Sequence, residues 1–373
     1  VRIAIEALGI DKPGGGRSAT LNLLEALFAI DKENHYLVFL NQWEGRLDIP
    51  SANVNQIVIN VKNRFWARIW AQLALPSLLR RKRVDLVHFV KNLVTPLTPG
   101  KTVVTVYDLA ILLYPKIYPM ADVIYWRLLE PLTLRKADRV IAISYNTAQD
   151  LKKFYGLAED RISVIYPGYS PIFRPADRAT VARVRQIYHL PPRTIIHVGS
   201  ISSKKNLMTL VKAFHLLKRD VRFDGKLVIV GRAYRKGEDE RLRQQVIALG
   251  LEKEVIFTGP VPDVHLPALY SSATLAVFPS LYEGFGIAPL EAMACGVPVI
   301  TSRAGGVTEV VDDAALFVED TLSEEEWATA MSRIIGDHHL WEEMRNKGIK
   351  RAKHFPATKA AFKTLNLYKE LVS

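Results

Sequence analysis

Glu283 and Glu291 belong to one run, Pro279-Ser280-Leu281-Tyr282-Glu283-Gly284-Phe285-Gly286-Ile287-Ala288-Pro289-Leu290-Glu291-Ala292-Met293-Ala294-Cys295-Gly296. An apolar strand-like stretch precedes it. A helix is expected from near Ile287, with Gly296 as its stop signal. Glu283 therefore falls in the loop before the helix, and Glu291 about one turn inside it. Backbone amides at Gly284, Phe285, Gly286 and Ile287 lie at the helix start, where N–H groups lack intrahelical acceptors and suit phosphate or sugar oxygens. A carboxylate before those amides can accept hydrogen bonds from sugar hydroxyls. A second one a turn later can accept a pair from a ribose diol.

Other chemistry-bearing residues also follow strand-like runs. Gly14-Gly15-Gly16 comes after the first such run, and Gly199, Ser200, Lys204 and Lys205 come after His197-Val198. Neither glycine cluster matches G-x-G-x-x-G or G-x-x-x-x-G-K-[ST], which lowers the standing of nicotinamide enzymes and phosphate-loop ATPases. Tyr107-Asp108 closes a third run. Phe257-Thr258-Gly259-Pro260-Val261-Pro262-Asp263 closes a fourth and can offer backbone groups, Val261 among them, to a nucleobase edge. Cys295 reads as a small packing residue; His88, His197 and His265 read as structural polar groups, since no metal-ligand spacing surrounds them. No metal site is expected.

The elements that must position these residues alternate strand and helix along 373 residues, the sequence form of parallel βαβ units. Seven strands are expected in the first half: 2–8, 36–40, 56–61, 86–89, 102–107, 139–143 and 162–165. Six follow in the second: 194–198, 226–230, 255–257, 275–278, 299–301 and 315–317. Between the halves, three prolines and a glycine in 166–175 stop regular structure, so the domain boundary is placed there. The division is 1–168, 169–355 and a terminal helix, 356–373. Hydrophobic residues at 49% suffice for two cores and exclude disorder as the main state. A single cysteine excludes an intrachain disulfide. No secretory signal is read at the start, and no apolar run reaches the ~18–20 residues of a spanning helix.

These motifs together resemble the retaining nucleotide-sugar glycosyltransferases of family four. The signature is Glu-Gly-Phe-Gly-Ile…Glu-Ala-Met-Ala-Cys-Gly-Val-Pro-Val at 283–299, joined by Val-Gly-Ser-Ile-Ser-Ser-Lys-Lys-Asn-Leu at 198–207 and the Gly14–Gly16 loop with its helix. The resemblance implies an α/β GT-B architecture: two Rossmann-like domains facing a cleft, the first on the acceptor side, the second binding the donor, and a last helix returning to the first. It implies a metal-independent hexosyltransferase moving mannose or glucose from a GDP- or UDP-linked sugar to a glycan, lipid-linked or small-molecule hydroxyl. The nucleotide sugar is a co-substrate, and no cofactor is implied.

By the same resemblance Glu283 holds the donor sugar and Lys205 neutralises the diphosphate. Gly14, Gly15, Gly16, Gly199, Ser200, Lys204, Val261, Gly284, Phe285, Gly286, Ile287, Leu290 and Glu291 surround the donor, with Glu291 on the ribose. Tyr107 is placed with Glu283 and Lys205 among the catalytic residues; the family frequently carries histidine there, so a proton-carrying role is in doubt, although the phenol can still donate a hydrogen bond. Lys204 replaces a usual arginine and loses its bidentate reach. Retention is described for the family as front-face attack with a leaving phosphate oxygen taking the acceptor proton, and no enzyme nucleophile is expected. Another GT-B enzyme, such as an epimerase or phosphorylase, is the alternative.

A net charge of +12 favours anionic partners in general. Lys62, Arg64, Arg68, Arg80, Arg81, Lys82 and Arg83 crowd into 62–83 without an acidic residue, among Phe65, Trp66, Ile69, Trp70, Leu73 and Leu75. Two readings of this segment stay open. It docks the chain on anionic head groups at the inner face of the cell membrane, or its aromatics pack under the first sheet and Arg80–Arg83 is a solvated helix end. A nucleic-acid binder explains the charge but not the glutamate string, so no nucleic-acid partner is expected, and the location expected is cytoplasmic and peripheral.

Overall fold

The computed structural model describes residues 1–10, 14–42, 47–49, 51–61, 64–91, 95, 97–221 and 223–373; for 64, 65, 67 and 68 it describes the backbone alone. The chain divides into two compact units, Val1–Gly168 with Ala357–Ser373, and Tyr169–Pro356.

The first unit holds β1 (Arg2–Glu6), β2 (His35–Asn41), β3 (Val54–Ile59), β4 (Leu86–Phe89), β5 (Lys101–Val106), β6 (Arg139–Ala142) and β7 (Ile162–Val164), in the order 3-2-1-4-5-6-7. All pairs are parallel, with Ile5 opposite both Val38 and His88. Strands such as Leu-Val-His-Phe are buried along their whole length because helices cover both faces. One face packs Ile3, Ile5, Leu24, Leu27 and Phe28; the other packs Ala4, Phe39, Leu79, Val87 and Leu134.

The second unit repeats the plan with β8 (Thr194–Val198), β9 (Lys226–Val230), β10 (Val255–Gly259), β11 (Leu275–Phe278), β12 (Val299–Ser302) and β13 (Ala315–Val318), in the order 10-9-8-11-12-13. Its register sets Ile196 against Val228 and Ala276, so β8 and β11 are neighbours. In each sheet the strand order reverses beside the first strand of that unit. The crevice beyond the strands' carboxyl ends at that point is where doubly wound sheets place ligands.

The helix Ala357–Val372 packs on the first unit, burying Ala360, Ala361, Thr364, Leu365, Leu367 and Tyr368. Tyr368 reaches β4, where its hydroxyl meets His88 Nδ1 at 2.5 Å while His88 Nε2 meets Thr105 at 2.7 Å. His88 is thus a satisfied core histidine. Ala361, Phe362, Leu365, Tyr368 and Leu371 recur in the sequence at roughly helical spacing, which predicts one apolar stripe, but Phe362 is 55% exposed. It lies one residue, about 100°, off the buried seam, and Ala360 and Thr364 take that space.

The basic segment folds as two helices, Arg64–Leu73 and Leu75–Arg81. Trp70 packs on Phe39 with ring centroids 6.4 Å apart, and Ala71, Leu75 and Leu79 join the core. Trp66 and Leu73 are exposed. The expected contributions of Lys62 and of the side chains of Arg64, Phe65 and Arg68 lie outside the described residues.

Candidate active site

Glu283 is the centre of the second unit's site. Its position is fixed by its own backbone: its N–H donates to Ala304 O at 3.0 Å, and its carbonyl accepts from Gly306 N at 2.8 Å. Gly305 makes this approach possible. At φ +73° a side chain is strained, and a Cβ there would come within 2.4 Å of the Glu283 carbonyl oxygen.

The Glu283 side chain forms an ion pair with Lys205, both side chains being largely buried. Ser280 donates to the same carboxylate oxygen, Oε1, at 2.6 Å. Among the described residues Oε2 has no hydrogen-bond donor, so it remains able to accept one. Burial pushes the carboxyl's pKa up, but the ammonium groups of Lys205 and Lys204 and the hydrogen bonds from Lys205 and Ser280 outweigh it and hold the value at about 2. Glu283 is a carboxylate at any physiological pH.

Lys205 reaches Glu283 because the loop after β8 is tightly determined. Gly199 N–H donates to Val230 O at 2.9 Å and Ile201 N–H to Arg232 O at 2.9 Å. A single 3-10 turn, Ser203–Lys205, follows, and Asn206 ends it in the left-handed region at φ 53°. Asn206 is held by its amide on Thr321 O at 2.8 Å and by Thr209 on its side-chain oxygen at 2.8 Å. Leu281 N–H donates to Lys204 O at 2.8 Å, which ties this loop to the one carrying Glu283. An ammonium has three donors, so the pair with Glu283 leaves Lys205 capacity for phosphate oxygens.

The helix Ile287–Ala294 starts directly after Gly286, whose φ of +97° suits glycine, and no side chain caps it. Gly296 N–H closes its far end on Met293 O at 2.9 Å. Glu291 is 5% exposed, and among the described residues nothing hydrogen-bonds its carboxyl. Burial, then the nearby charge of Asp263, raises its pKa to about 8. Two glutamates of one motif thus stand in opposite protonation states at neutral pH. Asp263, at the end of the 259–263 loop, lies near enough to Glu291 for its charge to be felt there.

Two residues expected at the donor are turned inward. Leu290 is fully buried, and Phe285 packs edge-on against Phe355 with centroids 5.9 Å apart. Leu290 lies on the helix face that the core covers, and Phe285, in the loop before the helix, is buried against Phe355.

In the first unit Gly14, Gly15, Gly16 and Tyr107 come together. Gly14 precedes the helix Gly15–Ile30, and its carbonyl accepts from Arg17 N at 2.9 Å and Ser18 N at 3.1 Å. The Tyr107 ring lies under Gly16, where a Cβ would touch it at 3.9 Å. Thr20 donates to Gly16 O at 2.8 Å and meets the Tyr107 hydroxyl at 2.6 Å. Thr20 has one proton and gives it to Gly16, so Tyr107 is the donor in the second bond. Burial pushes the phenol up to about 12, against a smaller opposite effect of Thr20. The proton that a sequence reading offers to a substrate is committed to Thr20.

Reading the sequence missed Ser280, Thr20 and Glu6. Ser280 has a usable signal, a hydroxyl three residues before a loop carboxylate. Glu6 ends β1, accepts from Leu8 N at 3.0 Å, and is raised to about 7 by burial, opposed by that bond and by Lys91.

Two parallel, doubly wound units with anion-suited loops at the switch point of the second define the GT-B class. Sucrose-phosphate synthase of Thermosynechococcus elongatus shares the fold at TM-score 0.82 and 22% identity over 99% of this chain and 98% of that one. HepE of Anabaena, solved in complex with UDP and glucose, does so at 0.79 and 21%, over 99% and 100%. Residues 13–171 match the family model Glycosyltransferase Family 4, and residues 183–355 match Glycosyl transferases group 1. The chain is 30% identical to the O-antigen chain mannosyltransferase B of Escherichia coli over 289 residues, 77% of this chain and 75% of that protein. It is 34% identical to the D-inositol 3-phosphate glycosyltransferase of Acidothermus cellulolyticus over 64% of this chain and 54% of that one. The chain belongs to glycosyltransferase family 4, and it is a glycosyltransferase.

Proposed function

We propose that the protein is a retaining, metal-independent hexosyltransferase that moves mannose from a GDP- or UDP-linked donor to a hydroxyl of a glycan or lipid-linked acceptor. The observation that carries this is the Lys205–Glu283 pair set beside the amino end of the helix Ile287–Ala294. Departure of a nucleoside diphosphate leaves negative charge on phosphate and positive charge on the sugar ring. Lys205, the Ser200 amide and the helix start answer the first by preorganised electrostatics. Glu283 Oε2 accepts from a sugar hydroxyl and orients the ring. Glu291 meets the ribose diol. The first unit takes the acceptor, and a leaving phosphate oxygen takes its proton, so no enzyme nucleophile and no metal is required. Mannose is favoured by the Escherichia coli relative, and the HepE complex supports a nucleotide-sugar donor. Peripheral attachment to an anionic membrane accompanies this reading, as suits a lipid-linked acceptor and a chain of net charge +12.

A thermal-shift panel of GDP, UDP and ADP tests the donor: the cognate diphosphate at 100 times its Kd should add about 2.7 kcal/mol. With the matching nucleotide sugar, diphosphate release should depend on added acceptor, persist in EDTA and give product of unchanged anomeric configuration. Release independent of acceptor, or an inverted product, overturns the reading.

A further inference from the structure

The helix Met120–Lys136 carries large apolar side chains on its outer face. Met120 is 71% exposed, Ile124 51%, Leu128 64% and Leu132 58%, with Leu129 beside them at 41%. The first four recur every fourth residue, so they form one stripe about 18 Å long. The opposite face is conventional: Val123, Thr133 and Leu134 are buried, and Glu130 is buried with the Tyr155 hydroxyl on its carboxylate at 2.5 Å. A stripe of this size on a folded surface marks an interaction site.

The charges around it choose the partner. Arg127, Arg135 and Lys136 share the helix with one other acidic residue, Asp122, and exposed Lys116 stands just before it. No carboxylate pairs with Arg127 or Arg135 among the described residues. Both arginines line a groove of about 570 Å³ floored by Leu112, Pro131 and Phe154. Half-buried Tyr125 and Trp126, edge to face at 5.5 Å, add rings of the kind that suit a water–lipid boundary. An apolar stripe rimmed by cations, with a groove that offers guanidinium groups above apolar walls, complements anionic phospholipid: acyl chains under the stripe, phosphates on the arginines.

We propose that this helix is the membrane-docking face of the protein, lying in the headgroup region of an anionic leaflet. The inference rests on the peripheral attachment proposed above and names its surface, which sequence reading had sought at 62–83. Vesicle flotation of the whole chain at low salt tests it. The wild type should float with phosphatidylcholine–phosphatidylglycerol vesicles and not with phosphatidylcholine alone. The triple variant Ile124→Ser, Leu128→Ser, Leu132→Ser, which changes only exposed positions, should lose about ten-fold or more in partitioning with an unchanged melting temperature. Arg127→Gln with Arg135→Gln should lose the preference for anionic lipid, and Trp66→Ser with Leu73→Ser should float as the wild type does. A triple variant that floats normally overturns the docking face alone. A wild type that floats with neither vesicle overturns the attachment itself, as does a wild type whose self-association the triple variant abolishes without any lipid binding.

Discussion

The two units begin alike, with a parallel strand, a glycine-bearing loop and a helix, yet the loops are held differently. After β8 the chain is pinned by backbone bonds to Val230 and Arg232, by Asn206 on Thr321, and by a buried ion pair. After β1 residues 7–9 are pinned as well, by Ala7 N–H on Phe39 O at 3.0 Å, by the Asn41 amide on Leu8 O at 2.6 Å and by the Lys91 ammonium on Gly9 O, and the difference lies at the glycines that follow. Gly14 adopts φ +146° with nothing within 4 Å of where a Cβ would be, and the following helix is steadied by Asn22 on Gly168 O at 3.0 Å and by the hydroxyl pair of Thr20 with Tyr107. The second unit's loop carries its own charges, Lys204 and Lys205, while Gly14–Gly16 in the first offer backbone. A leaving diphosphate needs the former. A backbone that must fit a bulky sugar or acceptor tolerates the latter.

The largest effect should come from the ion pair. Glu283→Ala and Lys205→Ala should each lower turnover by ~10²-fold or more, because misplacing the reacting sugar or leaving its phosphate unanswered forfeits orientation and charge stabilisation. Lys205→Ala also strands a buried carboxylate and should cost on the order of 3 kcal/mol of stability. The double variant Lys205→Met, Glu283→Gln should recover most of that stability and none of the activity. Denaturant titration and steady-state kinetics on the four proteins separate the two losses. Equal stability of single and double variants would mean the pair contributes nothing to the fold.

Glycine substitutions sharpen the comparison between the loops. A Cβ at Gly231, φ +137°, would lie 2.0 Å from Gly199 O, whereas at Gly14 it would meet open space. Both positions carry the backbone strain of positive φ, about 1–3 kcal/mol. Gly231→Ala adds a clash with backbone that cannot move without displacing the Lys205 loop. It should be the more destabilising of the two in chemical denaturation and should weaken nucleoside-diphosphate binding, while Gly14→Ala leaves that binding intact. The reverse order would mean that the loop after β8 is the more adaptable one.

Much of this was legible in the residues, for a physical reason. Every expected strand is present within a few residues of its expected bounds, because a strand buried on both faces must be a short apolar run and the connecting helices leave periodic patterns. The glutamate string fixed the loop and helix that carry Glu283 and Glu291. What the sequence could not show is pairing across the fold. Lys205 and Glu283 are 78 residues apart, and nothing local signals that the two charges meet. The stripe at 120–132 was equally hidden, since apolar residues on a helix look the same whether they face core or solvent. Phe362 was misplaced for that reason.

The opposed titrations of Glu283 and Glu291 give a pH signature. Glu291, raised to about 8, binds a proton in the folded chain that the unfolded chain has released, so its contribution falls as pH rises from about 4.5 to 8. Glu6, raised to about 7, acts in the same direction up to its own value. Glu283, held at about 2, acts oppositely, and its contribution is lost only as pH falls below about 4.5. Glu291→Gln should therefore flatten the decline in melting temperature between pH 5 and 8, and Glu283→Gln should leave that window unchanged. The amide introduced by Glu291→Gln keeps one acceptor oxygen, so nucleoside-diphosphate binding should weaken only modestly. An unaltered slope in Glu291→Gln would mean that the native carboxyl is already ionised in the folded protein.

The smallest effect is expected at Tyr107, and it tests the first unit's loop most directly. The phenol's only proton goes to Thr20, whose own proton goes to Gly16, so the hydroxyl steadies the glycine turn and has no proton left for a sugar. Tyr107→Phe keeps the ring under Gly16 and removes one partly buried hydrogen bond, a loss of about 1 kcal/mol. Thr20→Val should cost a similar amount, and the two should be strongly non-additive, since each breaks the same chain of bonds. Turnover with saturating donor should fall no more than a few-fold in either variant. A loss of ~10²-fold in Tyr107→Phe, with Thr20→Val near normal, would put the phenol in contact with the reacting sugar. The two loops would then differ less than their hydrogen bonding implies, because the first would carry chemistry as well as shape.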